Sequence, residues 1–271
     1  MMCKSLVSIA LAALLLPGAH AAVPPLALVQ PLADYKLYVA DQLQQLVDGT
    51  REFTAAIKAG DLARAQALYA PTRLPYEKSE PIAELFSDLD SAIDARADDH
   101  ELAERDPDFT GFHRLEYGLF AQRSTAGLAP IADRLMADVL ALQQRVEDLT
   151  FPPDKVVGGA ATLMEEVAAT KVSGEEDRYS RTDLWDFQGN VDGARKIVEL
   201  LHPLIEQEDA AFARKVDANF DTVEAILARY RQGEGFVSYE QVSDADRRAM
   251  VGPVNTLAED LSTLRGKLGL N

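Results

Sequence analysis

The chain has 271 residues, with 44 acidic against 27 basic side chains, a net charge of −17 and a single cysteine. That charge speaks against a nucleic-acid partner, whose phosphates it would repel, and favours cations. One cysteine rules out an internal disulfide, so the fold must rest on its core, which a chain of this length can build.

Residues 1–21 read as a secretory signal. Lys4 supplies the positive start, Leu6 to Leu16 is an apolar run too short to span a membrane, and Ala19-His20-Ala21 is a small-x-small cleavage site. Cys3 precedes the apolar run, so no lipid anchor is expected. Export to the periplasm would leave 250 residues (22–271) with no cysteine, and losing Lys4 moves the net charge from −17 to −18. No later run is long enough to cross a membrane.

Helix periodicity dominates the remainder. Leu32, Tyr35, Val39, Leu43, Leu46, Phe53 and Ile57 recur mostly at steps of three and four. Gly60 should end that helix and Asp61 cap the next. Pro81 should kink or restart it. A further helix is expected over 128–149. Phe151-Pro152-Pro153 closes it and Asp154 opens another, whose Gly158-Gly159-Ala160-Ala161 points to close packing against a neighbour. Residues 173–180 form a polar loop. Thr182 or Asp183 then caps a helix that Pro203 should break, and a long amphipathic helix follows to Arg231. After a turn at Gly233-Glu234-Gly235, Ser243 opens the last helix. No strand-like alternation persists. About eight helical segments joined by short connections predict an all-α fold of bundles, with possible lobes before and after about residue 125.

The chemistry concentrates between Arg73 and Phe120. Glu77 and Glu80 are three residues apart, as are His113 and Glu116, so each pair shares one helix face. An HxxE spacing is weak by itself in so acidic a chain, and it is not the HExxH of zinc proteases. Its context is stronger: Phe112, Leu115, Tyr117 and Leu119 surround it, and an acid buried there would need a partner or a metal. Oxygens with one imidazole suit a divalent or trivalent cation, with iron, zinc, copper and manganese all admissible. Spacing does not single out Asp94, although Arg96 beside it is a possible partner.

The stretches YEKSEP, DLDSAIDAR, GFHRLEYGLF, VSGEEDRYSRTDLWDF and NVDG together resemble the imelysin-like family over essentially the whole chain after residue 21. The resemblance implies two lobes (about 22–125 and 126–271), each a four-helix bundle, with a metal site in the cleft. It implies that His113 and Glu116 form the HxxE pair, with Glu77, Glu80, Asp94 and Glu176 near them as ligands or supporting acids. The iron-uptake branch of the family is the most similar. Its function would be periplasmic capture of iron and transfer to an inner-membrane permease, with a periplasmic haem peroxidase as a further partner. The cupredoxin domain often found ahead of this region is expected to be absent, which puts any oxidation of ferrous ion in doubt. Two alternatives stand: a metallopeptidase, as some relatives are classed, and a polysaccharide-binding module with a structural metal, for which Tyr179 and Trp185 are candidate stacking residues.

Overall fold

The apolar positions at steps of three and four become helices in a computed structural model of the chain, which describes residues 23–270 apart from Thr170. The expected signal segment lies outside the described residues. Helix α1 (Pro25–Lys58) buries Tyr35, Val39, Leu43, Leu46, Phe53 and Ile57, the face set by the sequence period. Gly60 takes φ +76° and ends the turn, and Asp61 accepts from the Arg64 N–H at 3.0 Å to start α2 (Leu62–Ala83). Shorter helices follow: α3 (Ser87–Asp94), α4 (Gly111–Glu116) continued by a π turn over Tyr117–Ala121, and α5 (Ala129–Asp148). Then come α6 (Pro153–Ala169), α7 (Asp183–Leu227), α8 (Asp244–Ser262) and α9 (Leu264–Lys267). The only strands among the described residues, β1 (Arg231–Gln232) and β2 (Gly235–Phe236), pair antiparallel around the expected turn. The fold is all-α.

Two prolines behave differently from the expectation. Helix α2 continues through Pro71, Pro75 and Pro81, so Pro81 does not restart it. Pro81 has no N–H, so the carbonyl of Glu77 four residues back loses its helical donor, and the Asn190 side-chain amide from α7 supplies one at 3.1 Å. Pro203 likewise lies inside α7. The break comes instead at Asp209 (φ −154°, ψ 85°), whose carboxylate accepts from the Phe212 N–H at 2.9 Å and caps a second arm. The two arms, 183–208 and 210–227, fold back on each other: Arg195 reaches Asp221 at 3.0 Å and Glu224 at 2.7 Å, and His202 reaches Asp217 at 3.2 Å.

Helix α1 packs chiefly on α2 and α5, and α3 and α4 lie against α5; α6 packs on α7 and α8. The change of partner falls between α5 and α6. Helices α2 and α7 join the two groups at close range, because a Cβ on Gly189 would come within 2.5 Å of the Glu77 Cβ. One apolar cluster runs through both groups. No helix of the described residues is long and apolar enough to cross a membrane.

Candidate metal site

Backbone geometry brings the HxxE turn to Asp94. Gly111 opens α4 at φ +75°, where a Cβ would lie 2.2 Å from the Ile93 carbonyl oxygen, so only glycine lets α4 seat on the end of α3. His113, two residues on, thereby faces Asp94. From the other side comes a strap, residues 171–182, that begins with a short 3-10 turn at Lys171–Ser173 and carries Glu176, Asp177, Tyr179 and Ser180.

The two members of HxxE have different jobs. Glu116 is fully buried and fully used. Its Oε1 accepts from the Tyr179 N–H (2.9 Å), the Ser180 N–H (2.7 Å) and the Ser180 hydroxyl (2.9 Å), and its Oε2 accepts from His113 Nδ1 at 3.2 Å. Glu116 therefore ties the strap to α4 and orients the imidazole, as carboxylates behind metal-bound histidines do. The other ring nitrogen is left over. His113 Nε2 is buried without a hydrogen-bond partner, 3.6 Å from Asp94 Oδ1 and 3.7 Å from Glu176 Oε1. These gaps are too long for hydrogen bonds and suit three ligands each about 2.1 Å from a shared ion.

Two buried cations hold the remaining acids. Arg73, from α2, is 0% exposed. Its guanidinium bonds Glu77 Oε1 at 2.6 Å, Asp186 Oδ2 at 3.2 Å and Asp94, lies 3.7 Å from Glu176 Oε1, and faces the rings of Phe112 and Tyr69. Lys171 Nζ is 2.5 Å from Glu77 Oε2 and 3.7 Å from Glu80 Oε2. Asn190 donates to both of those oxygens, at 3.0 and 2.7 Å. Beyond Arg73, Asp177 accepts from the Tyr69 hydroxyl at 3.0 Å and the Thr182 hydroxyl at 2.5 Å.

Carboxylates outnumber cations in this interior, and their acidities separate. Burial pushes Glu80 and Asp186 well above the usual carboxylate range, with Glu166 adding to the push on Glu80. Burial also acts on Glu176, but Lys171 and then His113 override it and hold that acid well below the range. Burial and the Arg73 charge both work against a proton on His113; Glu116, Glu176 and Asp94 together prevail and raise it to about 10. That shift favours the protonated ring at neutral pH, and an ion bonding to Nε2 would displace the proton.

The six expected residues thus come together in two adjoining groups. His113, Asp94 and Glu176 converge on one point, with Glu116 behind the ring. Glu77 and Glu80 stand alongside, linked to the first group through Arg73 and Lys171. Asp94, Glu80 and Glu176 also line an open cleft of about 210 Å³ with Glu84, Asp90, Asp99, Arg96 and Glu166. The partner of Asp94 is Arg73; Arg96 bonds Glu176 instead, at 2.8 Å. Arg73, Lys171, Asp186 and Asn190 were not anticipated. Arg73 had a readable signal, since it precedes Glu77 by the four residues of a helical ion pair. Tyr179 and Trp185 are half-buried: Tyr179 bonds Glu104 and packs on Tyr117, and Trp185 packs on Phe236.

A helical protein with a buried carboxylate–imidazole cluster beside an acid-lined cleft is the class that these features define. The chain belongs to the Imelysin family, whose sequence profile matches residues 31–264. It is 64% identical over 255 residues to the iron uptake system component EfeM of Pseudomonas syringae pv. syringae, covering 94% of this chain and 90% of that protein. It is 62% identical over 256 residues to the iron uptake system component EfeO of Yersinia pseudotuberculosis, covering 94% of this chain and 68% of that protein.

Proposed function

We propose that this protein is the periplasmic iron-binding component of an iron uptake system, and that it takes up its cargo ion at His113 Nε2, Asp94 and Glu176. The observation that carries this reading is the orphaned Nε2, 2% exposed as a residue and facing two carboxylates across gaps of 3.6 and 3.7 Å. A buried imidazolium nitrogen with no acceptor is costly, and a metal ion bonded there satisfies it. The names of the EfeM and EfeO relatives supply the cargo. Glu116 sets the ring, and Glu77 and Glu80 place further carboxyl oxygens beside it. The acid-lined cleft offers the ion a path of favourable potential from solvent. Uptake releases the His113 proton, so affinity should fall as pH falls, and an inner-membrane permease would receive the released ion.

Titration of chelator-treated protein with ferrous iron and with zinc tests this. Wild type should bind one ion at the cluster, His113→Ala and Glu176→Gln should abolish that binding, and Glu116→Gln should weaken it by about 10–100-fold. Equal binding by wild type and His113→Ala would remove the assignment.

A further inference from the structure

Lys171 is a fully buried cation among the site's acids that neither orients the imidazole nor braces Asp94. It is 0% exposed. Its Nζ has Glu77 Oε2 at 2.5 Å, Glu80 Oε2 and Glu166 Oε1 at 3.7 Å each, and Glu176 Oε1 at 4.0 Å. These acids come from α2, α6 and the strap. An ammonium has three N–H donors, so it serves this shell as a point charge and cannot bond all four acids. Several carboxylate oxygens around one positive centre are what a hard divalent cation takes, at about 2.0–2.6 Å. Glu176 Oε1 is also the oxygen 3.7 Å from His113 Nε2. Lys171 and an ion held by His113 and Glu176 therefore compete for the same carboxylate, and two positive charges so close in a buried setting repel strongly.

We propose that Lys171 is a tethered stand-in for the cargo. It fills the carboxylate pocket in the metal-free protein and is expelled from it when the metal binds, so that uptake is an exchange of one ammonium for one metal ion. This rests on the functional reading above. The charge balance closes: a divalent ion brings two positive charges, and the departing ammonium and the proton released from His113 take two away. The exchange also frees Glu77 and Glu80 to face the ion. The way out is short: Glu80 and Glu166, both within reach of Nζ, line the solvent-open cleft, and the Glu166 side chain is 25% exposed. On release of the metal the same side chain refills the pocket, which keeps buried carboxylates from being left without a counter-charge.

Two measurements on the full chain test this. Lysine acetylation with acetic anhydride, read by peptide mass spectrometry, compares the chelator-treated and the manganese-loaded protein, with exposed Lys58 as internal reference. Lys171 should be modified about tenfold faster in the loaded form, within the range usual for coupled sites. Coupling is reciprocal, so Lys171→Met should bind manganese about tenfold tighter than wild type, whereas Lys171→Arg, which keeps the charge, should not. If Lys171→Met does not fold, the acetylation rates of wild type still decide. Lys171 equally protected with and without bound metal overturns the proposal, as does a folded Lys171→Met that binds no tighter. Wild type that takes up no metal overturns the functional reading as well; wild type that binds metal with Lys171 still protected overturns this inference alone.

Discussion

The two arms of α7 face opposite demands. The first arm starts in charge: Asp183, Asp186 and Asn190 are each fully buried near its N-terminal end. Asp186 is held by Arg73, and Asn190 by the acids and the freed carbonyl of α2. The second arm buries Val216, Phe220, Val223 and Leu227, none more than 1% exposed. In the hydrocarbon arm an apolar side chain of similar volume and shape is tolerated, since burial is non-directional. In the charged arm each group depends on one particular partner, because a buried charge left alone is far more costly than a missing methyl. The site therefore lies where the interior is least replaceable.

The largest effect should follow from removing the cation at the centre of the charged region. Arg73→Met would leave Glu77, Asp94 and Asp186 facing one another without it, and should cost about 5 kcal/mol. Denaturant unfolding of the metal-free protein measures this, and a loss below about 1 kcal/mol would show that the acids are held some other way. Phe220→Ala in the second arm should cost about 3 kcal/mol as a cavity while leaving metal affinity as in wild type. If it weakened metal binding as well, the two ends of α7 would not be separable.

The next effect is a pH response that belongs to the charged region alone. Asp183 is raised to about 7 by burial first and then by Asp177, and Asp90 to about 6, again chiefly by burial. A raised acid favours folding while protonated, and that advantage is lost as pH climbs from about 4 through the folded value. His113, raised to about 10, contributes stability that is complete below about pH 6.5 and lost as pH rises through 10. Both signs agree between pH 6 and 9. Glu176 has the opposite sign, but its loss comes only below the normal carboxylate range. The chelator-treated protein should therefore melt at least about 2 °C lower at pH 8.5 than at pH 6. A flat or rising profile, measured calorimetrically, would contradict this. Phe220→Ala should shift the whole profile downward without changing its slope.

The same division decides what the sequence reveals. The apolar stripe of α1 and the cap at Asp61 were legible because period and cap chemistry are local. Glu77 with Glu80, and His113 with Glu116, were legible as faces for the same reason. What each residue does was not: His113 and Glu116 share a turn, yet one offers a free nitrogen and the other is consumed by the backbone of Tyr179 and Ser180, more than sixty residues away. Family likeness brought in Glu176. Lys171 gave no signal, because it lies past the end of α6, and only the folding of the strap against α2 turns it inward. Pro203 was read as the break in α7 because proline is a strong local cue, whereas the actual break at Asp209 is specified by a carboxylate that also reaches Lys267 at 2.8 Å, fifty-eight residues on.

That last contrast carries the smallest predicted effect. Asp209→Ala removes the cap on the Phe212 N–H and the ion pair with Lys267, and should lower the melting temperature slightly. Pro203→Ala lies within continuous helix, where it restores a donor and a better helix former, and should be neutral or slightly stabilising. Neither should alter metal affinity, since both positions are remote along α7 from Asp186 and Asn190. Thermal melts of the two variants side by side decide the matter. If Pro203→Ala proved the more damaging, the fold-back of α7 would depend on the proline, and the capped turn at Asp209 would be its consequence rather than its cause.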